Sequence, residues 1–120
     1  MSIKGGSYAN LQRAIATGNP LLVRAAAAEL ERIGLPDALS ICLVFLGAEP
    51  DSYSRAATRW HARVVLEAGR LDLAGSQRLL IGLQGLRGSD ARSAASDLAD
   101  LADELELPDV AARIDAWLRV

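Results

Sequence analysis

Arg55, Arg59 and Arg63, four residues apart, are the strongest candidate for chemistry in this chain. That spacing puts them on one stripe of an α-helix. A guanidinium offers a planar fork of donors, so the stripe suits phosphates or the carboxylates of an acidic partner. The competing expectation is a solvated helix face, because arginine is a good helix former and Glu67 continues the row. No base-reading motif accompanies the stripe, so the solvated face is preferred. A small nucleic-acid-associated regulator using Arg55, Arg59 and Arg63 is the second functional expectation.

The remaining polar groups point less far. Asp97, Asp100, Asp103 and Glu104 share a helical face. Aspartate-rich helices of this kind hold magnesium only with a second acidic helix, a deep cavity and substrate phosphate, so a solvated row is expected. Gly82, Gly85 and Gly88 follow a helical stretch and lack the lysine of a phosphate-binding loop. A frayed helix end and a flexible turn account for them. His61 is the single histidine, which excludes a multi-histidine metal site. Ser54 lies two turns before it on the same side, but no orienting acid or oxyanion hole is identifiable. Cys42, in an apolar run without a neighbouring cation, is expected to be a buried small residue rather than a nucleophile. No catalytic, cofactor-binding or metal-binding residue is assigned, and the chain is expected not to be an enzyme.

The elements that carry these groups are legible in the apolar spacing. Leu39 to Leu46 contains one polar side chain, Ser40, so a helix there is apolar around nearly its whole circumference and must be surrounded. Leu35-Pro-Asp opens it, with Asp37 facing the positive end of the helix dipole, and Gly47 offers a stop. Before it, a short helix from Tyr8 to Thr17 ends at Gly18. A second, capped by Asn19 with Pro20 at its first position, runs to about Ile33. Its Ala25–Ala28 block permits close approach of another backbone. A long helix from about Asp51 to Ala68 places Tyr53, Ala57, Trp60, Val64 and Ala68 on one face, with the arginines opposite. Asp72 starts a fifth helix, broken by Gly85 and Gly88. Ser89 or Asp90 caps a sixth, which turns Leu98, Leu101, Ala102 and Leu105 inward. Leu107-Pro-Asp starts a last helix that buries Val110, Ile114, Trp117 and Leu118. No segment alternates long enough to form a strand.

Leu35, Leu71 and Leu107 precede three of these starts at intervals of 36 residues (35 to 71, 71 to 107). The period is close to that of helix–turn–helix solenoids and divides the chain into helix pairs at about 19–48, 51–87 and 89–120. An irregular bundle of ordinary helices gives the same spacing. The tetratricopeptide signature is missing.

Composition narrows the class. The chain of 120 residues is 51% hydrophobic and only 4% aromatic, which suits close helix packing better than sheets. One cysteine excludes an intrachain disulfide and fits a reducing, cytoplasmic setting. Residues 1–7 lack the apolar segment of a signal peptide and are expected to be a flexible N-terminus before a single helical domain over 8–120. No run is long enough to span a bilayer. Net charge is −2 but uneven: residues 51–92 hold seven arginines against four acids, and residues 93–120 two arginines against seven acids. A basic ridge meeting an acidic helix of another copy is one route to self-association.

Two phrases carry a resemblance: Arg24-Ala-Ala-Ala-Ala-Glu-Leu leading into Leu35-Pro-Asp-Ala-Leu-Ser-Ile-Cys-Leu, then Glu49-Pro-Asp-Ser-Tyr-Ser-Arg-Ala-Ala-Thr-Arg-Trp. Together they resemble small, uncharacterised Ala/Arg/Leu-rich all-helical bacterial proteins, over roughly residues 10–70. The resemblance implies a bacterial cytoplasmic origin and no activity. The expectation is an all-α fold of six or seven short helices in an orthogonal or solenoid-like bundle. Its expected function is a non-enzymatic protein-interaction module, binding a protein partner or itself, without cofactor or membrane. Arg55, Arg59, Arg63, Trp117 and Leu118 are the candidate partner-binding residues.

Overall fold

The computed structural model describes the backbone of residues 3–119 and the side chains of residues 5–119. Among these residues the chain is all-α, with seven helices and no strand. They are α1 (Ile3–Thr17), α2 (Pro20–Ala28), α3 (Leu35–Ala48), α4 (Pro50–Glu67), α5 (Leu73–Gly85), α6 (Ala91–Glu104) and α7 (Pro108–Leu118). Local chemistry sets several starts. Asn19 accepts from the Leu21 amide at 3.0 Å, Asp72 from Gly75 at 2.7 Å and Asp90 from Ser93 at 3.3 Å. Each side chain thereby satisfies an amide that the first helical turn leaves unpaired.

The helices gather into two compact units, Met1–Tyr53 and Ser54–Val120. In the first, α1 packs on α2 and both meet α3. Leu11, Val23 and Leu39 are its most enclosed aliphatic side chains. As the apolar circumference of α3 requires, Leu35, Leu39, Cys42, Leu43 and Phe45 are all buried, and Ile41, Val44 and Leu46 are half-buried. Asp37 is also buried, and accepts a hydrogen bond from Gln12 Nε2 of α1 at 2.9 Å. Arg24 of α2 fastens the far end of α3. Its guanidinium lies 4.6 Å from the centre of the Phe45 ring and 2.7 Å from Glu49 Oε2, and it donates to Ser52 Oγ at 3.2 Å.

Two boundaries in this unit differ from expectation. Residues 3–7, expected to be flexible, begin α1, and residues 1 and 2 lie outside the described residues. Gly5 and Gly6 each cost about 1 kcal/mol in a helix relative to Ala. Continuity with the turn that buries Ser7 and Leu11 outweighs that cost. Helix α2 ends at Ala28, five residues before Ile33. There the Glu29 and Leu30 amides turn back to Ala26 and Ala27, a tightened last turn, and Glu31 and Arg32 face solvent. The six residues from 29 to 34 carry the chain back for α3, and the Ala block turns only Ala26 and Ala27 partly inward.

In the second unit, the part of α4 after Tyr53 joins α5, α6 and α7. Trp60, Val64, Leu79, Leu98, Leu101, Val110 and Ile114 converge around an apolar void of only about 10 Å³. That is no more than the space for a single water. The α4 face foreseen from the sequence is observed: Ala57, Trp60 and Val64 are buried, while Arg55 and Arg59 are exposed. The α6 pattern is equally clean, with Leu98, Leu101, Ala102 and Leu105 inside and Asp97, Asp100, Asp103 and Glu104 outside.

The glycines of α5 require a correction. The helix ends at Gly85 and turns through Gly88 as expected, but Gly82 lies inside it and is no part of a frayed end. A Cβ on Gly82 would come within 2.5 Å of Leu98, and one on Gly85 within 2.7 Å of Ala94. Gly82 and Gly85 are therefore the positions at which α5 and α6 approach closely.

Helix α6 ends in a reversal in which the Leu107 amide bonds Ala102 O at 2.8 Å and the Glu106 amide bonds Asp103 O at 3.0 Å. This closure demands a left-handed residue, and Glu106 supplies it at φ +61°.

Candidate functional site

The arginine stripe divides when its side chains are traced. Arg63 pairs with Glu67 one turn on, Nε to Oε2 at 2.9 Å, and is half-buried. Arg55 and Arg59 are exposed and form no ion pair among the described residues. Two unpaired guanidinium groups one turn apart thus remain of the expected three.

Other arginines of the basic segment are satisfied within the unit. Arg78 of α5 grips Glu104 of α6 through both terminal nitrogens, at 3.0 and 3.3 Å. The hydrogen bond to Glu104, then its charge, with smaller contributions from Asp97 and Asp100, raise the pKa of Arg78. Arg70 meets Glu106 at 3.2 Å, and Arg87 donates to Ser54 Oγ at 2.6 Å. Part of the charge segregation seen in the sequence is neutralised in cis, which leaves less of it for a second copy.

Trp117 and Leu118, the expected apolar contributors, are half-buried at the end of α7, where the Leu118 carbonyl accepts from Arg92 at 3.4 Å. The strongly exposed aliphatic side chains of this unit lie elsewhere. On α5, Leu79, Leu83 and Leu86 face the core, but Leu73 is 87% exposed, Ile81 68% and Leu80 44%. Gln77 and Gln84 fill the same outward face, and Arg78, the one charged side chain between Leu73 and Gln84, turns aside to Glu104 of α6. On α4, Leu66 is 83% exposed beside the arginine stripe. A signal for this face was available: Leu79, Leu80 and Ile81 are consecutive, and three successive helical positions span too wide an arc for one core face.

His61 and Ser54 do not pair. His61 Nε2 instead meets Ser76 Oγ of α5 at 2.9 Å, tying α4 to α5 in a half-buried seam. Cys42 is buried in α3, and desolvation pushes its thiol pKa up to about 12, opposed in part by a backbone hydrogen bond. A thiol so placed is a poor nucleophile near neutral pH. Among the described residues, no three His, Cys, Asp or Glu side chains are grouped to hold a metal ion. In the first unit a shallow groove of about 330 Å³ runs between α1 and α2, lined by residues that include Arg13, Ala14, Leu22, Ala25 and Glu29.

No described helix is long and apolar enough to cross a membrane. No protein-family model, curated protein or solved structure matches the chain.

Proposed function

We propose that the protein is a non-enzymatic interaction module that binds a protein, or a further copy of itself, through the outer face of α5. The observation that supports this is the exposure of Leu73, Leu80 and Ile81 on one helix whose opposite face is already packed. Isolated exposed aliphatic residues are ordinary, but a row at helical spacing without a charge is a contact surface in waiting. A reducing bacterial cytoplasm, suggested by the single cysteine and the sequence resemblance, belongs to the same proposal. Affinity capture with the wild type and with Leu73→Glu/Ile81→Glu, matched in helicity, tests it. Bound protein should be lost from the variant, and an unchanged bound set would overturn the proposal.

A second function rests on Arg55 and Arg59, which pair with no carboxylate among the described residues and so offer two forked donor sets for phosphates. Replacing Arg55, Arg59 and Arg63 with Gln should then abolish binding to mixed DNA and RNA while helicity is retained. Wild-type binding should weaken as salt rises, through counterion release. Absence of wild-type binding at low salt would eliminate this function.

A further inference from the structure

We infer that the partner of the α5 face is the same face of a second copy, with the two α5 helices parallel about a two-fold axis. This rests on the proposed role of that face and adds the identity and geometry of its occupant.

The spacing on α5 supplies the first support. Leu73, Gln77, Leu80 and Gln84 recur at intervals of four, three and four residues, the seam of a two-stranded helical coil. In a parallel pair each seam residue meets its own counterpart. Leucines then meet leucines, and glutamine amides meet amides, each able to donate and to accept. A glutamine on the seam costs little when it finds its twin and more when the helices slip, so Gln77 and Gln84 fix the register.

The flanks supply the second support, independent of the seam. Ser54 takes a hydrogen bond from Arg87, and His61 meets Ser76, so α4 runs antiparallel to α5 on one side. Arg59 then stands level with Leu80, and Arg55 near Gln84. On the other side Gly82 faces Leu98, Gly85 faces Ala94 and Arg78 reaches Glu104, so α6 is also antiparallel to α5. Asp100 then stands level with Leu80, and Asp97 near Leu83. A two-fold axis along α5 keeps these levels and exchanges the sides. It therefore brings Arg55 and Arg59 of one copy opposite Asp97 and Asp100 of the other, at both flanks of the seam, where Arg78 on the α6 flank is already held by its own Glu104. An axis across α5 would set arginines against arginines and aspartates against aspartates. Charge thus selects the parallel arrangement, while the aliphatic row supplies the attraction. The contact is isologous and closes as a dimer, unlike an open chain of basic ridge on acidic helix.

Sedimentation of the full chain from micromolar to millimolar concentration tests this, with circular dichroism as the folding control. The wild type should form a concentration-dependent dimer that weakens with salt. Arg55→Glu/Arg59→Glu and Asp97→Arg/Asp100→Arg should each dimerise roughly tenfold more weakly or worse, because like charges then face each other. An equimolar mixture of the two variants should restore the dimer, since opposite charges again meet at both flanks. A wild type that stays monomeric at the highest concentration would overturn the inference. If Leu73→Glu/Ile81→Glu still loses a different captured protein, the interaction role would stand without the second copy. A dimer abolished by Leu73→Glu/Ile81→Glu but untouched by both charge reversals would overturn the parallel geometry.

Discussion

Gly82 of α5 sits so close to Leu98 of α6 that a single added methyl group would fall within 2.5 Å of the leucine side chain. The Leu98 side chain is itself buried in the core of the second unit, so it has little room to yield. Gly82→Ala gains about 1 kcal/mol of helix propensity but overpacks the interface, at a cost of about 1–3 kcal/mol. Chemical denaturation should show net destabilisation. The same substitution in a Leu98→Ala background should be neutral or stabilising, because the obstructing side chain is gone.

Phe45 and Arg24 give a second comparison within the first unit. Phe45 is buried and should cost about 3–5 kcal/mol when cut to Ala. Arg24, half-exposed over the ring, contributes an ion pair and a cation–π contact that solvent screens. Arg24→Ala should therefore lower the denaturation midpoint far less than Phe45→Ala. Equal losses would show that the guanidinium, rather than the ring, anchors the end of α3.

Much of this architecture is written in local chemistry. Asn19, Asp72 and Asp90 are short polar caps before apolar periodic runs, and each caps a helix. The apolar run of α3, broken only by Ser40, had to be largely enclosed, and Leu39, Cys42, Leu43 and Phe45 are buried while Ile41, Val44 and Leu46 are half-buried. Helix ends were less legible, because Glu29 to Ile33 has acceptable helix propensity and stops being helical only to return the chain for α3. Gly85 and Gly88 marked the end of α5, but the packing role of Gly82 and Gly85 was not legible for a similar reason: a missing side chain looks alike in a turn and in a close helix crossing, and only Leu98 and Ala94, more than eight residues away, distinguish the two. Arg55 and Arg59 were recognisable from spacing, whereas the pairing of Arg78 with Glu104 depends on α5 and α6 lying side by side. The outward row Leu73, Leu80 and Ile81 had one signal, the consecutive Leu79, Leu80 and Ile81, but a helix with two apolar faces does not show in its sequence which of them meets the core.

Glu106 holds a left-handed conformation that glycine adopts without steric cost. Its pairing with Arg70 is exposed on both sides and contributes little. Glu106→Gly should therefore be more stable than Glu106→Ala by about 1 kcal/mol, as thermal unfolding of the two variants can check. If Ala equals Gly here, the reversal after α6 is not held left-handed in solution.

Cys42 makes a pH-dependent contribution of definite sign. Its thiol pKa is raised from 9.0 to about 12 in the folded chain, so below pH 9 both folded and unfolded forms keep the proton. Between pH 9 and about 12 the unfolded thiol ionises first, binds fewer protons than the folded one, and stability falls as pH rises. Denaturation of Cys42→Ala across that range should fall less steeply than the wild type, which removes the shared titration of tyrosine and lysine from the comparison. Parallel slopes would mean that the thiol is solvated in the folded protein.

The outer face of α5 as the contact surface is tested most directly by site-specific photocrosslinking in living cells from position 77, between Leu73 and Ile81. An adduct, with a second copy or another protein, should form there and disappear when Leu73→Glu/Ile81→Glu is added. A crosslinker at Ala112, exposed on α7, should give none. No adduct from position 77, or one indifferent to the two glutamates, would contradict the assignment of this face.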